Sequence, residues 1–416
     1  MAEHGGPPAR LLDLSRLVSR AGLAAPTGID RVEQAYLSEL LARPEPLFAL
    51  VRTTLGFVLL DREGAAALAQ RIAGERGWGA ADLLGRLSQR RAPLRARAEA
   101  DLRRLALGRA RPRGLARLLR RHLPDGTAYL NTGHSNLSAR VFDAVHALPG
   151  GRVAVLIHDT IPLDYPQFAA PGLPDAFRAR LQRVGAAADL VIYNSARSQA
   201  DAEHHFALWG RVPPALVSHL GVDLPRPDPS EIPAGLDLGR PWFVTLGTIE
   251  PRKNHALLID IWEAMAKDPP PGGMPRLFVI GRRGWNNAAL FARLERSPVM
   301  RHHVFELGAL PDGAVAALLQ GAAGLLFPSF AEGYGLPPLE AAALGVPVLC
   351  GDLAIYRETL GDYPVYAEVS DRYLWRRTIE AMADNARMSK GLREGRGEVP
   401  RLSTWRDHFG PVLRVT

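Results

Sequence analysis

Short apolar runs recur along the chain, and amphipathic stretches with helical spacing separate several of them. Each run is strand-like in length and composition, and the runs lie at residues 152–159, 188–195, 215–222, 241–248, 275–282, 302–310 and 322–329. Strands that alternate with helices form parallel sheets, because each helix carries the chain back to the start of the next strand. The alternation therefore predicts an α/β protein built on parallel sheets.

The length of the chain indicates more than one domain. Its 416 residues exceed the roughly 250 to 300 residues at which a single hydrophobic core stops growing. Residues 221–240 are rich in proline and glycine, which indicates a linker. We predict an N-terminal domain at 1–224, a linker at 225–240, a C-terminal domain at 241–395, and a segment at 396–416 that packs back on the N-terminal domain.

The formal charge of +8 comes almost entirely from arginine, since lysine occurs only at positions 253, 267 and 390. This bias is more typical of a GC-rich genome than of nucleic-acid binding, so no nucleic-acid partner is predicted. Arginine is densest at residues 80–122, where leucines recur at helical spacing, and this segment is predicted to be an inserted pair of basic helices. A solvated helix face is the favoured interpretation, and contact with an anionic membrane surface is the alternative.

The sequence predicts a cytoplasmic protein. Cys350 is the only cysteine, which excludes an internal disulfide and fits a reducing compartment. The first residues lack the apolar core of a signal peptide, and no uninterrupted apolar run reaches the ~18 residues of a membrane span. A peripheral position at the inner face of the cell membrane is an additional hypothesis.

Two glutamates, Glu332 and Glu340, lie within a predicted strand, loop and helix that run from Phe327 to Val348. Glycines in the loop permit close approach of a ligand, and the first amides of the helix have no intrahelical partner and attract anions. Both carboxylates can then face the crevice at the carboxyl end of a strand, where open α/β sheets bind ligands. A ligand with hydroxyls and phosphate is predicted. The alternative is that Glu340 only complements the helix dipole and Glu332 is solvated.

Two further candidates follow other predicted strands. Arg252 and Lys253 lie in a strand-to-helix turn, where two adjacent cations suit a diphosphate, although a basic surface turn is the alternative. His158 and Asp159 end the run at 152–159. An imidazole beside a carboxylate can hydrogen-bond a sugar hydroxyl or stabilise developing charge, and a structural histidine is the equal alternative.

Several common catalytic motifs are absent from the sequence. No two aspartates stand two positions apart, so the Asp-x-Asp pair by which many sugar transferases hold a divalent ion is missing. The sequence also lacks the P-loop, H-E-x-x-H and G-x-S-x-G motifs. The histidine pairs at 204–205 and 302–303 lack partners at ligand spacing and are predicted to be surface residues. We therefore predict no metal site.

Together these motifs resemble glycosyltransferase family 4, and in particular its bacterial mannosyltransferase-like members. The resemblance rests on EGYGLPPLE (332–340), GTIEPRKN (247–254), VIGRRGW (279–285), LGALPD (307–312) and IHDTIPLDYP (157–166), and it covers about residues 127–371. APTGIDRVEQAYLSELL (25–41) is similar to the family's first loop and helix. The chain departs from the family at Gly247-Thr248, where Gly-Arg is usual, so one phosphate-binding cation is missing.

The resemblance implies a GT-B fold, in which two Rossmann-like domains with parallel sheets face each other across a cleft. It also implies a retaining reaction without a protein general base, with no cofactor besides the nucleotide-sugar substrate. The implied catalytic residues are His158, Glu332 and Lys253; the implied donor-binding residues are Arg252, Lys253, Gly335, Leu336, Glu340, Gly28 and Thr248; and the implied acceptor-side residues are Thr27, Asp159 and His134.

The function that follows is transfer of a hexosyl group, mannose or similar, from a GDP- or UDP-linked sugar. The acceptor would be a growing bacterial surface polysaccharide or a lipid-linked glycan. Two alternatives remain open: a GT-B nucleotide-sugar epimerase or hydrolase, and an inactive GT-B module that acts as a scaffold. Neither the sugar nor the base can be read from the sequence, because base pockets carry no recognisable motif.

Overall fold

The computed structural model describes residues 7–22, 26–88, 92–388 and 399–416, and these residues divide into two compact units. Unit 1 takes the described residues within 1–158, 176–220 and 405–416. Unit 2 takes those within 159–175 and 221–404.

The strands of unit 1 are β1 (Arg10–Asp13), β2 (Leu47–Thr53), β3 (Gly56–Leu60), β4 (Gly108–Ala110), β5 (Ala128–Asn131), β6 (Arg152–Ile157), β7 (Leu190–Tyr193) and β8 (Ala215–Val217). Those of unit 2 are β9 (Trp242–Leu246), β10 (Arg276–Ile280), β11 (Val304–Gly308), β12 (Gly324–Phe327), β13 (Val348–Cys350) and β14 (Val365–Tyr366).

The helices, in chain order, are α1 (Ser15–Ser19), α2 (Gly28–Ala42), α3 (Arg62–Ile72), α4 (Leu83–Ser88), α5 (Pro93–Leu105), α6 (Leu115–His122), α7 (Ala139–His146), α8 (Ile161–Asp164), α9 (Leu173–Ala187), α10 (Ala196–Leu208), α11 (His255–Lys267), α12 (Ala288–Arg296), α13 (Asp312–Gly321), α14 (Leu336–Ala343), α15 (Ala354–Leu360), α16 (Arg372–Met388) and α17 (Trp405–Val415). None of the helices that the structure describes is long and apolar enough to cross a membrane.

The sheet of unit 2 has the strand order β11-β10-β9-β12-β13-β14, and its strands are parallel. This is the doubly wound order, in which the connections leave β9 in one direction and β12 in the other. The strands are apolar on both faces because helices cover both, and Phe243, Trp262 and Trp375 are fully buried in the core. The loops after β9 and β12 therefore open a crevice at the carboxyl edge.

The sheet of unit 1 has the order β4-β3-β2-β1-β5-β6-β7-β8. β1 lies between β2 and β5, and both are parallel to it. The strand order of this sheet therefore also reverses at β1. β3 and β4 are antiparallel additions at one edge, and β3 returns from β2 through a tight connection. A mixed edge of this kind is common on otherwise parallel sheets.

The predicted runs are all present as β6 to β12, each shorter than its apolar run. The prediction for 80–122 was incomplete, because this segment holds α4, α5 and α6 but also β4, which pairs with β3 at the sheet edge. The segment is therefore partly built into the sheet of unit 1. Leucines of α6 face inward and its arginines are exposed.

The chain passes between the units more often than predicted. Asp159–Asp175 was assigned to the N-terminal domain but belongs to unit 2, and the predicted linker also packs within unit 2, where the Asp228 N–H donates to the Gly313 carbonyl. Trp405–Thr416 belongs to unit 1. There the Arg10 guanidinium, fully buried, donates to the carbonyls of Leu413 and Thr416. The predicted boundary at 395/396 lies outside the described residues.

Candidate functional site

The reversal point of the unit 2 sheet carries two of the predicted motifs. β9 is followed by a single 3-10 turn, Pro251–Lys253, and Asn254 leaves this turn in the left-handed conformation at φ 52°. Asparagine tolerates that conformation better than most residues. β12 is followed by the loop that carries Glu332. The two motifs, separated by about eighty positions in the chain, meet at the carboxyl ends of adjacent strands.

Glu332 bridges the two cations of the turn. Its carboxylate lies 2.9 Å from Arg252 Nη1 and 2.6 Å from Lys253 Nζ. Arg252 also donates to the Ala331 carbonyl, and the Phe330 N–H donates to the Arg252 carbonyl, so main chain and side chain join the loops. The Lys253 ammonium stands 4.2 Å from the centroid of the Phe327 ring, a cation–π contact. Salt bridges, hydrogen bonds to and from the main chain and a cation–π contact therefore hold Arg252, Lys253 and Glu332 together.

The charges of this cluster are strongly coupled. Burial alone would raise the pKa of Glu332, but the positive charges of Arg252 and Lys253 hold it at about 2. Burial lowers the pKa of Lys253, and Glu332 opposes that shift. Glu332 is therefore a carboxylate at every physiological pH, and the two cations are fixed against it.

Two further carboxyl groups lie around Arg252. The sequence motifs did not associate either of them with this arginine. Glu250 is buried and pairs with Arg252 Nε at 2.7 Å. Burial raises the pKa of Glu250, and burial likewise raises that of Asp159 to about 6, although Arg252 opposes both shifts. Asp159 was predicted to be an acceptor-side residue of the first domain. The structure places it in unit 2 with the Arg252 group.

Helix α14 begins directly beyond Glu332. Its N-cap, Gly335, has φ 87°, and a Cβ there would lie 2.5 Å from Tyr356 Cε1, so the position requires glycine. No side chain caps the helix, and since Pro337 and Pro338 carry no N–H, this end offers the amides of Gly335 and Leu336 as donors. Gly335 and Leu336, the predicted phosphate-binding residues, stand at this end. Glu340 is the fifth helical residue, in the second turn, and is 7% exposed.

Thr248 follows Gly247 at the end of β9, where a cation was noted as missing. Gly281, at the end of β10, comes so close to Gly247 that any side chain there would collide with its carbonyl. A Cβ at Gly284 would lie 2.8 Å from Thr248 Cγ2. The loops after β9 and β10 are thus packed against each other. Neither Gly247 nor Thr248 replaces the arginine that the family usually has at the position of Thr248.

His158 and His134 form one hydrogen-bonded group in unit 1. His158 Nε2 lies 2.7 Å from the Thr132 carbonyl and must donate to it, while the His158 main-chain N–H donates to His134 Nε2. Burial lowers the pKa of His158 to about 4 and that of His134 well below its usual value. Both imidazoles are neutral near pH 7. His134 adopts φ 57°, and its ring accepts the hydrogen bond from the main chain just after β6.

Thr27 and Gly28 open helix α2 of unit 1. Thr27 is the N-cap and forms a reciprocal capping box with Asp30. The Thr27 hydroxyl also accepts a hydrogen bond from Arg16, whose Nε pairs with Asp30 at 2.8 Å. These contacts give Thr27 a structural role of its own. Gly28 is the first helical residue.

Unit 1 also contains a buried polar group that sequence reasoning missed. Asp13, at the end of β1, accepts from Tyr129 and Asn136, and Glu33 of α2 is 1% exposed. Burial raises the pKa of both carboxyl groups. The one available signal was Asp13 directly after the apolar pair Leu11 and Leu12, which is too short to recognise as a strand.

The arrangement in unit 2 has a definite chemical preference. Two cations and an uncapped helix N-terminus converge at the reversal point of a doubly wound sheet, which suits a ligand with a diphosphate. The carboxylates of Glu332 and Glu340 accept hydrogen bonds and so suit hydroxyl groups beside it. Among the described residues, no group of three or more His, Cys, Asp or Glu side chains is placed to hold a metal ion.

Comparison with known proteins finds a family model that matches part of unit 2, and relatives that match part of the chain. Residues 231–394 match the family model described as glycosyl transferases group 1. The serotype-specific mannosyltransferase WbdA of Escherichia coli is 30% identical over 251 residues, which are 57% of this chain and 29% of that protein. The O-antigen chain mannosyltransferase B of Escherichia coli is 34% identical over 126 residues, 30% of this chain and 32% of that protein. The chain thus spans less than a third of either relative.

Solved structures share the fold of the whole chain. The Anabaena protein HepE in complex with UDP and glucose matches with a TM-score of 0.59 at 15% identity, over 97% of this chain and 94% of HepE. WaaG, a glycosyltransferase involved in lipopolysaccharide biosynthesis, matches with a TM-score of 0.54 at 15% identity, over 93% of this chain and 96% of WaaG. These findings confirm the predicted GT-B fold and the resemblance to bacterial mannosyltransferase-like enzymes.

Proposed function

We propose that this chain, whose residues 231–394 match the family model of glycosyl transferases group 1, moves a hexosyl group from a nucleotide diphosphate-sugar to a glycan. Mannose is the favoured sugar, because WbdA and the O-antigen chain mannosyltransferase B, which this chain matches at 30% and 34% identity, are mannosyltransferases. The acceptor is a growing bacterial surface polysaccharide or a lipid-linked glycan. GDP- and UDP-linked donors are both compatible with the residues present.

The observation that carries this proposal is the bridge that Glu332 forms between Arg252 and Lys253 beside the N-terminus of α14. In the proposed complex the two cations and the Gly335 and Leu336 amides bind the diphosphate. Glu340 accepts from the ribose hydroxyls. Glu332 accepts from hydroxyls of the transferred sugar while it keeps the cations in place.

The chemical step is departure of the diphosphate, which leaves an oxocarbenium-like sugar. Negative charge grows on the leaving oxygen, and Arg252, Lys253 and the helix amides stabilise it in a preorganised arrangement. A divalent ion is then unnecessary. We propose a retaining outcome, with the acceptor attacking on the face that the diphosphate leaves and a phosphate oxygen taking its proton, so that no protein side chain is needed as a base.

The roles of the remaining predicted residues stay proposals. His158 is proposed to contact the transferred sugar, and its neutral imidazole leaves Nδ1 as an acceptor, since Nε2 donates to Thr132. Thr27 and His134 are proposed to act on the acceptor side, Gly28 and Thr248 beside the donor, and Asp159 beside Arg252. The capping of Thr27 and the hydrogen bond to His134 mean that substituting either also perturbs the fold locally.

A peripheral contact with an anionic membrane surface is the second element of the proposal. Its support is the stretch from Leu102 to Pro124, which contains no acidic residue. Beyond Arg104, which pairs with Asp101, the exposed arginines within it are Arg109, Arg111, Arg113, Arg117, Arg120 and Arg121. These six arginines are called the α6 basic surface. A lipid-linked acceptor would be presented at such a membrane.

The proposal is tested with the full chain and a panel of GDP-mannose, UDP-glucose, UDP-galactose and ADP-glucose, each with and without oligosaccharide acceptors. We expect sugar transfer from one donor class and release of the matching nucleotide diphosphate. Nucleotide release without a transferred product would indicate a hydrolase, and a changed sugar on an intact donor would indicate an epimerase. Binding with no chemistry in any combination would favour the scaffold alternative.

A further inference from the structure

Three aromatic rings of unit 2 form a nearly parallel row. The Tyr165 and Phe168 rings have centroids 6.2 Å apart at an interplanar angle of 21°, and the Phe168 and Phe330 rings have centroids 5.3 Å apart at 16°. Tyr165 is 36% exposed and Phe330 is 37% exposed. These residues, called the aromatic row, present apolar surface to solvent although buried positions are typical of phenylalanine.

The aromatic row is built into the loops of unit 2. Trp285 Nε1 donates to the Phe168 carbonyl at 3.2 Å, and Asn286 Nδ2 donates to the Ala169 carbonyl at 2.9 Å. Asn286 adopts φ 50° to make this contact, and Trp285 is itself 43% exposed. The loop after β10 therefore fixes the segment that carries Tyr165 and Phe168. Exposed aromatic surface held by specific hydrogen bonds is more typical of a binding surface than of a solvated loop.

The aromatic row also adjoins the proposed donor site. Phe330 precedes Glu332 by two residues, and its N–H donates to the Arg252 carbonyl at 2.8 Å. Trp285 follows β10 and Phe330 follows β12, so both lie at the carboxyl edge of the sheet that carries the Arg252 and Lys253 turn. A ligand bound to the aromatic row would therefore lie beside Glu332, the residue proposed to bind the transferred sugar.

The chemistry of the aromatic row favours a neutral saccharide. Aromatic faces carry partial negative charge, which attracts the polarised C–H groups on one face of a pyranose ring. Phe168 stacks against both Tyr165 and Phe330, so the exposed rings of these two end residues offer two separate faces, which suits a chain of sugars better than one nucleobase. None of its three members is charged, and the exposed neighbours Gln167 and Asn286 supply amides for hydroxyl groups.

We propose that the aromatic row of Tyr165, Phe168 and Phe330 is a subsite for the pyranose rings of the acceptor saccharide. This subsite rests on the proposed function for the identity of its ligand. Stacking binds the acceptor chain beside Glu332, and amides at the margin orient its hydroxyls. A nucleobase or a second copy of this chain could also cover apolar rings, so the experiment includes both.

The test measures binding of α-mannotriose, maltotriose and chitotriose to the full chain in the absence of any nucleotide sugar, by titration calorimetry and saturation-transfer NMR. Tyr165→Ala and Phe330→Ala remove one ring each, and Tyr165→Leu retains apolar bulk without an aromatic face. Tyr373→Ala is the matched control, because Tyr373 is an aromatic residue of unit 2 that is 71% exposed on α16. Circular dichroism and thermal unfolding establish that each variant is folded.

We expect one saccharide class to bind, and its affinity to fall roughly three- to tenfold in each ring-removing variant and in Tyr165→Leu. Affinity in Tyr373→Ala should stay unchanged, and so should GDP and UDP binding by Tyr165→Ala. Unchanged saccharide affinity in all variants, no saccharide binding by the unaltered chain, or loss of nucleotide affinity alone would each overturn the proposal. A dimer that dissociates in Tyr165→Ala would overturn it in favour of a self-interface.

Failure of this subsite and failure of the proposed function can be told apart. Saccharide binding is measured without a donor, so a chain that transfers no sugar can still show the loss in the Tyr165 and Phe330 variants, which supports the subsite. Conversely, normal transfer with an unchanged acceptor KM in Tyr165→Ala leaves the function intact and removes the subsite.

Discussion

The ammonium of Lys253 lies 2.6 Å from a carboxylate oxygen of Glu332 and 4.2 Å from the centroid of the Phe327 ring. These contacts fix the position of a side chain that is otherwise among the most flexible. Its charge is therefore in place before any ligand binds, which is the condition for preorganised stabilisation of a leaving group.

Replacement of Lys253 by alanine should lower kcat about a hundredfold, because the diphosphate gains negative charge only as it leaves. Steady-state kinetics of sugar transfer measures this, with Lys267→Ala as a matched control, since Lys267 is exposed at the end of α11. A kcat within twofold of the unaltered chain for both variants would show that Lys253 is not part of the reaction.

Replacement of Glu340 by alanine should weaken donor binding by about 1.5 to 3 kcal/mol, the usual effect of losing a hydrogen bond to a charged group. Calorimetric titration with the active nucleotide sugar provides the measurement. Glu295→Ala, at a side chain that is 61% exposed on α12, serves as the control. Equal affinities for the two folded variants would remove Glu340 from the ribose contact. The loss in kcat should be smaller than for Lys253→Ala.

Transfer should continue in excess EDTA, since cations and helix amides supply the charge stabilisation that a divalent ion otherwise provides. Initial rates with and without chelator, followed by addition of Mg²⁺ or Mn²⁺, decide this. Loss of activity that either ion restores would require the assignment of Arg252 and Lys253 to the diphosphate to be abandoned.

Donor affinity should rise as the pH falls from 7.5 to 5.5. The pKa of Asp159 is about 6, so this carboxyl group is ionised at pH 7.5 and mostly protonated at pH 5.5. Its negative charge competes with a diphosphate for Arg252, and protonation removes that competition, which predicts a gain of up to about tenfold. A nucleotide sugar is used because its diphosphate does not titrate in this range. Asp159→Asn should bind with nearly constant affinity, and an equally steep pH dependence in that variant would contradict the prediction.

Charge reversal on the α6 basic surface should weaken binding to anionic vesicles at least tenfold, since each cation near such a surface contributes about 1 kcal/mol. Arg117 and Arg121 lie one turn apart on α6, so the test variant is Arg117→Glu with Arg121→Glu. Co-sedimentation with phosphatidylglycerol vesicles is compared with that of Arg296→Glu with Arg377→Glu, two exposed arginines of unit 2. Equal retention of the two double variants would dismiss a membrane role for α6.

The unit 2 site was largely readable from the sequence, because its parts lie in strand-loop-helix units with strong local signals. Gly335, Gly345 and the prolines of α14 stand where a helix start and stop require them. The pairing of Arg252 with both Glu250 and Glu332 was not readable, since it depends on which strands become neighbours. The motifs identify loops, and the strand order brings them together.

Unit 1 was harder to predict for a physical reason. β1 and β5 have only four residues each, too few for a periodic pattern, and their strand character comes from burial between neighbours. Membership of Asp159–Asp175 in unit 2 depends on contacts such as the Phe168 and Phe330 stacking, which no local pattern encodes. The roles of β4 and Glu33 are likewise set by packing.

The buried contact of Arg10 with Leu413 and Thr416 has a consequence for synthesis on the ribosome. Strand β1 is translated before unit 2, yet the C-terminal segment whose carbonyls accept from its arginine is translated only after the whole of unit 2. Domains usually fold in the order in which they emerge. Here unit 1, which is begun before unit 2, must wait until unit 2 has been translated. Until then its core is partly uncovered, and Arg10 has Glu45 but lacks the two carbonyl acceptors that the C-terminal segment supplies.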